Sequence, residues 1–320
     1  MKNIILIISL LFCVAITQSN AQSTGFFGGH YNVAPILISP ASAGFSETHQ
    51  IMMNARTQWV GFPGAPKTYI VNYNGPIGST FGFGAGFLSE TIGNITNFGY
   101  KMNFALRLQP RNTKFKGAFG FSTEFNRQRL ADSVRDSEFF ESGDEIIMQA
   151  IDGRRIFDAS MGVWGTYGDA KFDKGLTYFG LTFSNLIVAK VGDIASTTDN
   201  QGSFFKFVVF NVGHIFDVEQ YNFKLEPSLM IRSLQNVPFQ VDFNIKGSFL
   251  QEKLVAGLSY RSGSGDAVAL LLGTKVESFN LYYSYDVSFS RFQKYSSGSH
   301  EVTIAFDFKS GKNKYDHTRN

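Results

Sequence analysis

Apolar and polar residues alternate at period two along most of this chain. From Phe115 to Asn126 the odd positions are Phe115, Gly117, Phe119, Phe121, Thr123 and Phe125, and the even ones are Lys116, Ala118, Gly120, Ser122, Glu124 and Asn126. Successive side chains of an extended strand point to opposite faces, so this is a ribbon with one apolar and one polar face. Phe239, Val241, Phe243, Ile245 and Phe249 stand against Gln240, Asp242, Asn244, Lys246 and Ser248 in the same way, and Val302, Ile304, Phe306 and Phe308 against Glu301, Thr303, Ala305 and Asp307. The pattern predicts fourteen strands, at 48–59, 67–75, 81–89, 98–109, 115–126, 156–169, 175–185, 204–217, 223–233, 239–249, 253–262, 266–277, 279–290 and 299–309. Their lengths lie near the roughly 9 to 11 residues of a tilted bilayer-crossing strand, and above the roughly 5 to 6 usual in soluble sheets. Two stretches resist. Pro227 falls mid-strand and predicts a bulge or a displaced boundary, and 204–217 is apolar on both faces, which leaves its register open.

The connections sort by length. The two longest, 127–155 and 186–203, are the fifth and seventh, whereas every even-numbered one is short. Bacterial outer-membrane barrels carry short turns at the periplasmic end and longer loops outside. The expectation is an all-β fold, a transmembrane antiparallel β-barrel of about 14 strands over 48–309, with its long loops at the cell surface. Ahead of it, Lys2, the apolar run Ile4 to Ile16 and Ser19-Asn20-Ala21 predict a cleaved signal peptide over 1–21, too short to span a bilayer. A polar tail, 310–320, follows the last strand.

Composition narrows the class. Thirty-four Phe, 13 Tyr and 32 Gly accompany 17% charged residues, with no later apolar run of transmembrane-helix length. A formal charge of +3 is too small and too scattered for a nucleic-acid partner. The single cysteine, Cys13, follows Phe12 inside the signal, which argues against a lipid anchor and leaves the mature chain without a thiol. Its stability must come from its sheet and its core.

Fourteen strands enclose more space than side chains of an eight-stranded barrel have to fill. The segment 22–47, irregular and punctuated by Pro35, Pro40 and Gly44, is too apolar to hang in the periplasm and is expected to fold into the lumen as a plug. The polar parity places Arg56, Lys116, Glu124, Lys224, Glu226, Arg232, Asp242, Lys246, Arg261, Lys275, Glu277, Asp286, Glu301 and Asp307 on the inner face. Their mixed signs suggest mutual pairing rather than the one-sign constriction of a selective pore.

Catalytic patterns are absent from the sequence, and no cofactor or metal is expected. None of the histidines sits in a nucleophile elbow or a zincin pattern. In Ser299-His300-Glu301 adjacent strand residues face opposite ways, so His300 and Glu301 cannot serve one site. The glycines of FGFGAGF, 81–87, alternate with Phe and no helix follows, which makes them packing residues rather than a phosphate loop. Asp193 to Asn200 lacks the ladder of a calcium loop.

The stretch RTQWVGFPGAPKT, 56–68, joins the first two strands. In the parity that sends Ile51 and Met53 to lipid, Arg56 and Gln58 face the lumen and Trp59 lies outward at the strand's end, at headgroup level. This stretch resembles the RxQWxGFxGAPxT block of the PorP/SprF family of type IX secretion system membrane proteins, through Arg56, Gln58, Trp59, Gly61, Phe62, Gly64, Ala65 and Pro66. NVAPILISPASAG, 32–44, is similar to the family's NP…NPAxAG signature through Pro40, Ala41, Ala43 and Gly44, with Ala34 and Ser39 standing where the family has Asn. FDASMGVW, YSYD and GSHE follow at matching places.

The resemblance implies a fourteen-stranded outer-membrane barrel related in architecture to long-chain fatty acid channels, in gliding or secreting Bacteroidetes. It further implies a non-catalytic component or partner-specific anchor of type IX secretion. Its partners would be outer-membrane lipid, secretion or motility components and a large exported surface protein. The alternative function is a channel for small or hydrophobic molecules. For a partner, the sequence offers the loop 127–155, where Phe139, Phe140, Ile146, Ile147 and Met148 lie within a charged frame and are costly to leave in water.

Overall fold

Alternation on this scale closes into a single sheet. The computed structural model describes residues 28–46, 48–110, 113–136, 145–169, 175–187, 189–190, 207–234, 237–263, 266–289 and 291–309. The strands are β1 (Thr48–Thr57), β2 (Lys67–Ile77), β3 (Phe81–Ile92), β4 (Ile95–Leu108), β5 (Phe115–Leu130), β6 (Arg154–Asp169), β7 (Gly175–Ser184), β8 (Ala189–Lys190), β9 (Phe207–Val218), β10 (Phe223–Leu234), β11 (Val237–Phe249), β12 (Leu254–Ser262), β13 (Ala267–Val276), β14 (Phe279–Ser288) and β15 (Ser299–Lys309). Apart from β8, chain neighbours pair antiparallel, β7 pairs β9, β1 pairs β15 and β5 pairs β6, so among the described residues the sheet has no free edge except at the two-residue β8, which rides on β6. Without β8 the wall is a closed antiparallel barrel of 14 strands. No helix among the described residues is long and apolar enough to cross a membrane; the crossing elements are strands.

The parity read from the sequence is the parity of the wall. Ile51 and Met53 are exposed on β1 while Met52 and Asn54 are buried, and Phe119 and Phe121 are exposed on β5 while Ala118 and Ser122 are buried. Outward Tyr100, Phe243, Leu258, Leu270 and Phe306, each at least half exposed, continue this belt around the circumference. An apolar band of this extent is unstable in water and matched to lipid.

Several boundaries differ from the expectation. β1 stops at Thr57, so Trp59 is not on the strand: it has φ +46 and lies in the β1–β2 turn, where strand parity no longer assigns it a face. β3 and β4 run on to a two-residue turn at Gly93, and β5 extends to Leu130, which takes Arg127 and Arg129 out of the loop and into the wall. Within 127–155 a short helix, α1 (Glu145–Asp152), packs on β5 and stops at Gly153, where φ is +93; Arg127 donates to the carbonyl of Asp152 at 2.7 Å. Gly ends a helix readily in this left-handed conformation, and a cation suits its carboxyl end.

Pro227 makes no bulge. It pairs with Ile245 in an unbroken β10–β11 register, and only its rungs to β9 are missing, where Glu226 and Pro227 have no partners although the register on either side is continuous. The shift in β10 falls instead between Arg232 and Leu234. The ambiguous ninth strand settles with Val209 and Asn211 inward and Phe210 outward. Residues 1–27, 137–144, 191–206 and 310–320, and with them the signal, most of the second long loop and the tail, lie outside the described residues.

Candidate functional site

Inside the wall runs the segment 28–46. It makes three short 3-10 turns, Gly29–Asn32, Pro35–Leu37 and Pro40–Ser42, and the last two begin with the proline at their first position. Proline there has φ preset and no N–H to leave unmade. Each turn buries apolar side chains on a different sector of the wall. Tyr31 and Ile38 pack with Val209 and Met230, Ala34 with Met52 and Ala305, Ile36 and Ala43 with Ala105, and Ala41 with Ala118 and Trp164. The segment therefore touches β1, β4, β5, β6, β9, β10 and β15, and it spans the lumen rather than lining one side.

Its course is fixed at both extremes by named contacts. Both chain ends of the barrel, the start of β1 and the end of β15, lie at one end, here the near end; the opposite end is the far end. Towards the far end, the backbone N–H groups of Gly29 and His30 donate to the Glu301 carboxylate at 2.7 and 3.3 Å, and Asn54 donates to it at 2.9 Å. Arg56 bonds Glu301 and Asp286, each at 2.7 Å. His30 completes this cluster with a 2.7 Å hydrogen bond to Thr303, and burial pushes its imidazole below the ordinary value in spite of the neighbouring Glu301. Arg56 and Glu301 are direct cross-strand partners between the first and last strands.

Towards the near end, Gly44 donates its N–H to Asn74 and accepts from Arg107, both at 2.7 Å, while Arg107 also donates to Gly78 O at 2.6 Å. Between these anchors the segment's backbone lies on bare strand. A Cβ at Gly82 would collide with the Ala43 carbonyl, and one at Gly120 with Ala41 and Pro40. Gly44 itself has φ +64 and faces Gly75 and Gly82 at distances too short for any side chain. Glycine is placed in these strands because another backbone passes against them.

Around the segment the inner charges pair. Asp242 accepts from Arg232 and Arg261 at 3.3 Å, Lys246 meets Glu226 at 2.7 Å, and Glu252 in the near-end β11–β12 turn bridges Lys224 and Lys275 at 2.8 and 3.2 Å. Tyr31 of the segment is joined to this network through Asn244, which donates to its hydroxyl at 2.8 Å. Burial raises the Tyr31 hydroxyl above its ordinary pKa, so it stays a neutral donor and acceptor. Among the described residues the interior keeps at least two cavities. One of about 370 Å³ lies towards the near end beside Trp164, Tyr178 and Phe45, and one of about 330 Å³ towards the far end beside Glu90, Glu124 and Asn72; Ile36 lines both.

The two motifs divide between these tasks. Pro40, Ala41, Ala43 and Gly44 seat the segment on the wall, and Arg56 holds the carboxylate that caps its other extreme. Gln58, Trp59, Gly61, Phe62, Gly64, Ala65 and Pro66 form a far-end turn instead. Gln58 donates its N–H to Pro66 O at 2.9 Å, Phe62 to Trp59 O at 3.0 Å and Ala65 to Phe62 O at 3.1 Å. The turn is strapped to both flanking connections, because Val60 N–H reaches Gly298 O at 2.8 Å and Gly93 N–H reaches Gly64 O at 2.8 Å.

Of the loop residues singled out for a partner, Phe139 and Phe140 lie outside the described residues, Ile146 and Ile147 fall on α1, and Met148 is exposed there. His300 lies tilted against Tyr285 on the outer face while Glu301 is fully buried inside, so the strand separates them as expected. Glu277, expected inside, is exposed in the β13–β14 turn with φ +53. Among the described residues no three His, Cys, Asp or Glu side chains converge as a metal site requires. What the sequence reading missed are the glycine seats at Gly82 and Gly120 and the clamp at Arg107. The signal was present for Gly82, in a strand whose glycines fall on the inward parity.

Residues 19–306 match the family described as type IX secretion system membrane protein PorP/SprF. No curated protein matches. Among solved structures, the barrel is similar to the CymD monoaromatic hydrocarbon channel, with TM-score 0.54 and 11% identity over 91% of this chain and 95% of that one. It is also similar to a deltaS2 mutant of the TodX monoaromatic hydrocarbon channel, with TM-score 0.51 and 9% identity over 87% and 94%. At such identities the likeness concerns the fold.

Proposed function

This chain belongs to the PorP/SprF family of type IX secretion system membrane proteins and forms an outer-membrane barrel, and from that premise we propose that it is a non-catalytic, partner-specific anchor of that system. In this reading it supports the export or surface attachment of a large, adhesin-like protein. The observation that carries it is the occupied lumen: the segment 28–46 is bonded to the wall through Glu301 at one extreme and through Asn74 and Arg107 at the other. A barrel braced in this way suits a rigid platform, and a platform works through its rims. The far rim offers the strapped β1–β2 turn and, beyond the β3–β4 turn, the β5–β6 connection that holds α1 with exposed Met148. Apolar residues there supply affinity and flanking charges supply register.

The test is purification of the tagged full chain from native membranes. A single large exported polypeptide should accompany it, and the double change Phe139→Asp with Phe140→Asp should release that partner while the barrel keeps its heat-modifiable mobility. Retention of the partner would move docking to the near rim, and absence of any partner from the wild-type preparation would sink the anchor reading.

A second reading, a channel for small or hydrophobic molecules, draws support from the two cavities that meet across Ile36. It requires the segment to move. Steady single-channel conductance of the intact, purified barrel would favour it.

A further inference from the structure

The far-end cavity holds a buried carboxylate without a counter-ion. Glu90, on β3, is 7% exposed, and its contacts are Thr68 Oγ1 at 3.4 Å and Asn97 Nδ2 at 3.5 Å. These are long for bonds to an ionised carboxylate, which ordinarily fall near 2.7 to 2.9 Å. Glu226, Asp242, Asp286 and Glu301 are buried to the same degree, and each has a Lys or Arg in an ion pair. Glu90 has none among the described residues. A buried charge left so is unfavourable unless something pairs with it.

The cavity carries a second unmet group, independent of the charge. Asn72, also 7% exposed, lines it, and its Oδ1 is buried without a hydrogen-bond partner. Asn72 stands four residues along β2 from Thr68, the cross-strand partner of Glu90, which places the two acceptors roughly 13 Å apart along the wall at about 3.3 Å per residue. Lys101, which pairs loosely with Glu124 at 3.8 Å, is the lysine of this cavity and lies two strands from Asn72, paired with the intervening Gly86. The unmet acceptors thus ask for a cation at Glu90 and a neutral donor nearer Asn72.

We propose that this cavity of about 330 Å³ is a binding site for an extended organic cation, an ammonium or guanidinium on a flexible chain that enters from the far end. The cationic head pairs with the Glu90 carboxylate, and an N–H further along the ligand donates to Asn72 Oδ1. The same chemistry is presented by a free alkylamine and by a Lys or Arg side chain of a polypeptide. The site stands apart from the anchoring role, since it needs no particular partner to be tested.

The full chain, folded in detergent, is titrated calorimetrically with N-acetylputrescine, which has one ammonium and one neutral amide N–H, and with a capped Gly-Arg-Gly peptide. At least one should bind saturably. Glu90→Gln should weaken that binding at least tenfold, Lys101→Gln should tighten it severalfold by removing a like charge from the cavity, and Glu277→Gln, on an exposed turn, should leave it unchanged. Binding of N-acetylputrescine alone would assign the site to small amines, and binding of the peptide alone would assign it to a polypeptide; either supports the proposal. Saturation by neither probe, or equal binding to Glu90→Gln, overturns it. Should Glu90→Gln fail to fold, Asn72→Leu must weaken binding and Lys101→Gln must still strengthen it, and no change in both would be equally fatal.

Discussion

At the scale of single residues, the inside of this barrel is decided by groups that have no room to change. Gly82 lies against the Ala43 carbonyl, so Gly82→Ala must displace the segment or the strand. Overpacking of this kind costs about 1 to 3 kcal/mol, and urea unfolding should show that loss in the full chain but not in a barrel lacking residues 22–46. Arg56→Met removes one cation from two carboxylates, and leaving buried charge uncompensated costs about 3 to 5 kcal/mol. At the near rim, Glu252 answers to pH. Burial opposes its ionisation, but the bonds from Lys224 and the charge of Lys275 outweigh it and hold the carboxyl at about 2. A carboxylate depressed in the folded state stabilises above its unfolded pKa, roughly 4.3, and that contribution is lost as pH falls through the folded value. The stability gap between wild type and Glu252→Gln should therefore be constant above about pH 5 and close progressively towards pH 2, as read by denaturant unfolding at each pH.

At the scale of elements, the strands were legible because lipid outside and packed polar groups inside impose opposite demands on alternate residues. Their ends were not, because the alternation continues into turns: Trp59 continues the outward parity in sequence yet has left the strand, and α1 is too short to impose a period of its own. Pro227 misled for a different reason. Proline removes one donor, and β10 lets that gap face β9 without shifting register. The occupied lumen also changes what the wall predicts. Phe121→Arg should cost about 2 to 4 kcal/mol near the midplane, whereas Arg at inward Ser122 would be cheap only in an open lumen. Ser122 is fully buried, so Ser122→Arg should be costly too, but against protein rather than lipid. Removing residues 22–46 should rescue Ser122→Arg and leave the cost of Phe121→Arg as it was; equal behaviour of the two in that double-mutant cycle would contradict the assigned faces.

At the scale of the whole molecule, the closed wall and the mixed-sign interior could be read from the chain, and the route of 28–46 through the barrel could not. Clusters such as Arg56, Asp286, Glu301 and His30 join positions hundreds of residues apart, and no local pattern announces them. Removing residues 22–46 should raise ion conductance in planar bilayers, and an unchanged trace from a folded barrel would mean that the wall alone sets the pore. The meeting of Arg56 with Glu301 has a temporal side as well. The two belong to the first and last strands, and Glu301 also holds the backbone of Gly29 and His30, so this contact cannot exist until the two chain ends have zipped together. A cylinder that zips around an empty bore leaves the Glu301 carboxylate short of two donors, whereas one that zips around its own leader completes the set. Closure of the β1–β15 seam is thus favoured when the segment is already in place, by the two N–H donors that it brings to Glu301.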